Sequence, residues 1–111
     1  MGKFVKGEVV VFPFPFSNLA GSKLRPCLVV ANLAGDDMIL CMITKYPRDA
    51  DSILLATADF VAGDLPVDPS FIRPARLFTG EDTKVIKSKG RLSPAKLTQV
   101  IEKLIEIVSR T

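Results

Sequence analysis

Any reaction this chain catalyses has to work without histidine, because its 111 residues include none. That removes the commonest general acid/base and the commonest zinc ligand together. Cys27 and Cys41 are the only cysteines, too few for a structural zinc site. The chemistry is left to Arg, Lys, Asp, Glu, Tyr and hydroxyl groups. Arg25 stands at the end of a polar stretch, directly before Pro26 and an apolar run. Proline holds the residue before it in extended backbone, so the guanidinium is aimed from the mouth of a sheet. Such a group clamps an oxyanion bidentately, although taken alone it also reads as a solvated charge or a surface ion pair. Lys84, Lys87, Lys89 and Arg91 fall close together with no acid among them, a pattern for tracking a phosphate backbone or for a solvated loop. Phe14 and Phe16 alternate with prolines, placed either to stack bases or to pack in a core or dimer interface. Asp49 and Asp51 are the acids nearest to a metal-site pattern, in a polar loop without a histidine to complete it.

The elements that must position these groups are mostly short strands. Gly7 to Phe12 is a β-branched run that ends at Pro13 and Pro15, which cannot donate to a ladder. Ser17 to Leu24 is polar and carries Gly21, and reads as a surface loop. Pro26 to Leu33 and Met38 to Thr44 are apolar runs joined by Ala34-Gly35-Asp36-Asp37, a hairpin signal. Within the second run, Met38, Leu40, Met42 and Thr44 share one face and Ile39, Cys41 and Ile43 the other. Both faces are apolar, so both require cover: one lines a barrel and the other meets a helix or a second subunit.

Ser52 to Ala58 is a further strand candidate, followed by a Gly/Pro/Asp-rich stretch from Gly63 to Pro69. Ser70 to Phe78 reads as an interrupted strand with a bulge or edge position at Pro74, and Lys84 to Lys87 is short and weak. The period then changes: Leu97, Val100, Ile101, Leu104, Ile105 and Val108 form one helical stripe. Ser93 suits the N-cap and Pro94 the first turn, so the spacing predicts one amphipathic helix from Pro94 to Arg110.

Composition sets the outer bounds. The length fits one domain over residues 1–111 with one core, and a hydrophobic content of 48% excludes a disordered chain. So small a domain gains from burial against a partner, and a homodimer is the economical expectation. The net charge of +3 permits an RNA partner without requiring one. Cys27 and Cys41 lie in apolar runs and read as reduced core thiols. The N-terminus lacks the apolar stretch of a signal peptide, and no run reaches the roughly 18 residues of a membrane helix. The expectation is a cytoplasmic protein with no membrane partner.

One ordered set of motifs goes further. Gly7-Glu8-Val9-Val10, the Phe-Pro-Phe turn, and Gly21-Ser22-Lys23-Leu24-Arg25-Pro26-Cys27-Leu28-Val29-Val30 resemble the N-terminal signature of the MazF/PemK toxin family. Ile43-Thr44, Ser70-Phe71-Ile72-Arg73, Leu77-Phe78-Thr79 and Gly90-Arg91-Leu92-Ser93 resemble its later elements in the same order. The resemblance implies a mainly β fold with α, a small SH3-like β-barrel with a C-terminal amphipathic helix. It also implies a homodimer of the toxin half of a type II toxin–antitoxin pair. The implied activity is sequence-specific cleavage of single-stranded RNA, mRNA included. The 2′-OH attacks the adjacent phosphorus to leave 2′,3′-cyclic phosphate and 5′-OH ends, with neither metal nor cofactor. The implied protein partner is a cognate antitoxin, and DNA is met only through it.

By motif position, Arg25 matches the family's arginine for acid/base work or phosphate stabilisation, Thr44 the threonine on the scissile phosphate, and Arg73 a second functional arginine. Phe16, Ser22, Lys23, Lys45, Arg76 and Thr79 fall where the same resemblance expects RNA contacts. An arginine stays protonated in nearly all sites, so Arg25 and Arg73 read as electrostatic stabilisers, with substrate alignment supplying much of the rate. The sequence departs from the pattern in two places. Ala75 stands where an acid follows the second arginine in the member type that has one, and Lys23-Leu24 replaces the Glu-Gln that often follows Gly-Ser. Two other readings stay open: a barrel relative that acts by binding, such as a CcdB-like gyrase poison or a degenerate toxin, and a metal-dependent nuclease using Asp49 and Asp51.

Overall fold

In the computed structural model, residues 4–15 and 22–110 are described. Seven strands form one antiparallel sheet: β1 (Glu8–Pro15), β2 (Ser22–Asn32), β3 (Asp37–Thr44), β4 (Ile53–Leu55), β5 (Phe60–Gly63), β6 (Ser70–Glu81) and β7 (Lys87–Leu92). Their order across the sheet is β4-β6-β3-β2-β1-β7-β5. A 3₁₀ turn at Thr57–Asp59 links the two outermost strands, so the sheet curls into a half-barrel with one C-terminal helix, α1 (Pro94–Val108). No helix among the described residues is long and apolar enough to cross a membrane.

Alternation along the strands builds two cores on the two faces. Val9, Leu28, Val30, Cys41, Ile43, Ile53, Leu55, Ile72 and Leu92 pack on one face with Val100 of α1, and Leu97, Ile101 and Leu104 complete that layer. Val10, Phe12, Cys27, Val29, Met38 and Leu40 pack on the other, with Phe4, Phe14, Phe78 and Val85 around them. The expectation that both faces of β3 are covered holds, and within one chain. The two thiols are buried on opposite faces and are free. Burial raises both, Cys41 to about 12.

The hairpin lies as read, with Leu28 opposite Cys41 and Gly35 at φ +70° in the turn. Several limits differ from the sequence reading. β1 runs through Pro13 and Pro15 instead of ending before them. Val11 accepts a hydrogen bond from Ile86 N–H on the β7 side, and the two prolines face the same way, beyond the last β1–β7 pair, Val11 with Lys87. Their missing donors therefore cost no ladder bond. β2 starts at Ser22, inside the expected loop. β4 keeps only three residues of its candidate, and β6 extends to Glu81.

β5 was not expected as a strand, and the weak candidate at Lys84 to Lys87 is displaced: Lys84 ends a 3₁₀ turn and β7 begins only at Lys87. β7 reads Lys-Ser-Lys-Gly-Arg-Leu, and backbone pairing recruits it where no apolar alternation could announce it. Gly63 (φ +73°) and Gly90 (φ +145°) pair across β5 and β7. A Cβ on Gly63 would fall 2.0 Å from the Lys89 carbonyl oxygen, so this close approach requires glycine.

Ser93 caps α1 by accepting from Lys96 N–H at 3.2 Å, with Pro94 in the first turn. The helix stops two residues short of Arg110. Ile105 and Val108, read as core, are 58% and 76% exposed, because the last turns outrun the layer they pack on.

Candidate active site

The site lies on the face that carries Met42. Cys27 of β2 pairs with Met42, and Met42 pairs with Arg73 of β6. Arg25 and Thr44 each lie two residues beyond the Cys27–Met42 pair on its own strand, which returns both to the same face. Three strands thus bring Arg25, Thr44 and Arg73 together around Met42, from positions far apart in sequence.

A bulge supplies the rest. Cys41 pairs with Leu77 while its neighbour Met42 pairs with Arg73, so Pro74, Ala75 and Arg76 have no opposite residue on β3. The expected interruption at Pro74 is therefore real, and it turns Arg76 as well as Arg73 into the groove.

That groove has a volume of about 1320 Å³. Its walls carry seven basic side chains, Lys23, Arg25, Lys45, Arg48, Arg73, Arg76 and Lys84, against two acids, Asp37 and Glu81. The whole chain carries 15 basic and 12 acidic residues. The near-balance of the sequence thus hides a strongly cationic surface, suited to a polyanion. A smaller, more apolar hollow of about 330 Å³, with Leu24, Pro26, Leu65 and Val67, abuts it and shares Lys23, Arg25, Thr44 and Lys45.

Of the residues singled out from sequence, Arg25, Thr44, Arg73, Lys23, Lys45, Arg76 and Thr79 all line the large groove. Ser22 opens β2 on the same strand as Lys23 and Arg25. Phe16 lies outside the described residues. The basic cluster divides: Lys84 faces the large groove, Lys89 the smaller hollow, and Lys87 and Arg91 are exposed on β7. Phe14 lines the groove, but its ring packs edge-on against Phe78 with centroids 4.7 Å apart, which ties it into the core.

Thr44 and Arg73 are already committed. The Thr44 hydroxyl donates to the Tyr46 carbonyl oxygen at 2.7 Å, closing the turn after β3. A phosphate at Thr44 must compete with that carbonyl for the hydroxyl's single proton. Arg73, with a side chain 17% exposed, donates from Nη2 to Asp49 Oδ2 at 3.0 Å. Its Nε is buried without a hydrogen bond among the described residues. The Arg73 contact, ahead of smaller contributions from Asp51 N–H and Ser52, holds the Asp49 carboxyl below its ordinary range. Asp51 is held low by Arg110 at the end of α1. The two acids weighed as metal ligands therefore each face an arginine, and they do not converge with a third His, Cys, Asp or Glu among the described residues.

Tyr46 and Arg48 also line the groove and were not singled out. Tyr46 is the only tyrosine and is 65% exposed. The Lys-Tyr-Pro-Arg run was the available signal, an aromatic between basic residues directly after the Ile-Thr strand end.

The family model for the PemK-like, MazF-like toxin of type II toxin–antitoxin systems matches residues 5–108. Among curated proteins, no sequence matches this chain. Solved structures agree in fold. An endoribonuclease in complex with its cognate antitoxin, from a mycobacterial species, superposes with a TM-score of 0.72 at 15% identity, covering 96% of each chain. A MazE–MazF complex from Deinococcus radiodurans gives 0.71 at 18% identity, covering 95% of each chain. A second mycobacterial endoribonuclease gives 0.69 at 16% identity, over 94% of this chain and 89% of the other.

Proposed function

Because the chain belongs to the family of PemK-like, MazF-like toxins of type II toxin–antitoxin systems, we propose that it is a metal-independent endoribonuclease acting on single-stranded RNA. The observation that carries this reading is the groove lined by seven basic side chains together with Thr44. In the proposed step the substrate's 2′ oxygen attacks the adjacent phosphorus and the P–O5′ bond breaks. The 2′-OH proton leaves to solvent and the departing 5′ oxygen takes one up, which leaves a 2′,3′-cyclic phosphate and a 5′-OH. Negative charge grows on the non-bridging oxygens, where guanidinium groups from two different strands stabilise it more than they do the ground state. Holding the 2′-OH in line with the leaving oxygen supplies a further share of the rate.

The reading extends to a homodimer in the cytoplasm and to a neutralising antitoxin as partner. The relatives determined together with an antitoxin support the latter.

The test is incubation of purified protein with a long single-stranded RNA in excess EDTA. Fragments ending in cyclic phosphate are the expected product. Intact RNA from folded protein across several unrelated substrates would move the assignment to a barrel that acts by binding, and cleavage only after divalent cations are restored would remove the metal-free mechanism.

Tyr46 follows as a stacking platform for a base beside the scissile phosphate. Base–aromatic stacking contributes about 1–3 kcal/mol, so Tyr46→Ala is expected to weaken RNA binding roughly 5- to 150-fold, while Tyr46→Phe keeps the ring and the affinity. Fluorescence anisotropy with a short RNA reads this directly, and equal binding by the alanine variant would rule the platform out.

A further inference from the structure

Arg73 carries its partner on a different element from its own. The acid expected two residues along β6 is Ala75, yet the guanidinium is paired, through Nη2, with Asp49 from the loop that follows β3. Asp49 is itself held on its other oxygen: Oδ1 accepts from Asp51 N–H at 3.0 Å and from the Ser52 hydroxyl at 3.3 Å. Ser52 N–H in turn donates to the Asp49 carbonyl at 3.3 Å. The next acid, Asp51, turns away to Arg110 at 2.6 Å, so the loop is tied to the end of α1. A carboxylate with both oxygens occupied has little freedom to swing, and it can act as a fixed stop for a side chain that otherwise samples many rotamers.

We propose that Asp49 is a positioning residue for Arg73, fixing one edge of its guanidinium so that the rest of the group meets the substrate phosphate in the groove. This rests on the ribonuclease reading above. Asp49 does not act as the general base. It lies behind Arg73 and off the groove wall, and both of its oxygens already accept hydrogen bonds. Its lowered pKa also makes it a weak proton acceptor. Its effect comes from geometry, since displacement of an oriented group by about 1 Å is enough to cost on the order of 100-fold in rate.

The experiment is a double-mutant cycle on RNA cleavage by the full chain, with a single-stranded RNA of defined sequence as probe. Asp49→Asn keeps an oxygen for the Asp51 and Ser52 contacts and removes the charge facing Arg73. It is expected to lower kcat about 10- to 100-fold with KM little changed. Asp49→Glu should recover part of the loss. Combined with Arg73→Ala, Asp49→Asn should add nothing further, which a general loosening of the loop would not produce. Should Asp49→Asn melt, Asp49→Glu carries the same cycle.

Full activity in Asp49→Asn while Arg73→Ala is impaired overturns this proposal alone, as does full additivity of the two changes. Wild-type activity in Arg73→Ala also overturns it while leaving the nuclease reading intact. A wild-type protein that cleaves no RNA, with or without divalent cations, overturns both.

Discussion

Arg25→Ala is expected to lower kcat for RNA cleavage by about 10²–10³-fold, the loss typical of removing one preorganised donor from a developing oxyanion. Arg25 comes from β2, where its pairing with Phe12 of β1 and the following Pro26 fix the backbone. The guanidinium therefore starts from a rigid strand and not from a loop, and little order has to be imposed on it when substrate binds. Its side chain also lies where the large groove and the smaller hollow meet, so it stands beside RNA entering either one.

Arg25→Lys separates charge from geometry. An ammonium group keeps the attraction for phosphate but loses the planar fork that grips two oxygens at once. The lysine variant should bind RNA nearly as well as wild type and recover only a small part of kcat. Single-turnover cleavage beside equilibrium binding distinguishes these effects. Wild-type cleavage by Arg25→Ala would remove Arg25 from the site.

Gly63→Ala is expected to be among the most damaging single changes to stability, and Gly35→Ala provides its control. The two glycines have nearly the same backbone, φ +73° and φ +70°. Each alanine therefore meets the same left-handed strain, about 1 kcal/mol or somewhat more. Their surroundings differ completely. A Cβ on Gly35 has no atom within 4 Å, whereas one on Gly63 would lie 2.0 Å from the Lys89 carbonyl oxygen and 2.7 Å from Gly90 Cα.

Those obstacles are backbone atoms, which no rotamer change can move, so β5 and β7 must separate. Overpacking of this kind adds roughly 1–3 kcal/mol. Gly63→Ala should thus lose about 3 kcal/mol in total, about 2 more than Gly35→Ala. For a chain of this size that difference lowers the melting temperature by roughly 8 °C relative to the control. Equal melting temperatures for the two variants would mean that β5 does not need its close approach to β7.

The hairpin, the capped C-terminal helix and the bulge at Pro74 were legible because each is written in local chemistry. Turn residues stand between two apolar runs, a serine and a proline precede a helical stripe, and a proline interrupts a strand. The two-sided burial of β3 followed from alternation alone. Strand β7 was not legible, since a polar strand held by backbone pairing leaves no apolar signature, and β5, Phe-Val-Ala-Gly, is too short to show a period. The ends of strands misled for the opposite reason: Pro13 and Pro15 are strand breakers only where a partner awaits their N–H, and the sheet leaves that side open.

For the site, Arg25, Thr44 and Arg73 were nominated by their match to the motif positions of the family they resemble, and the absence of histidine narrowed only the side-chain types available. Their meeting around Met42 depends on a register between three strands, which is a property of long-range pairing. So does the gathering of seven cations into one groove from a chain with a net charge of only +3. The pairing of Asp49 with Arg73, 24 residues apart, belongs to the same class. Local sequence determined which groups were available and where the hairpin, the bulge and the helix would form; only tertiary structure decided the outlying strand pairings and which charges face one another, because electrostatic contact depends on distance in space and these distances are set by strand register.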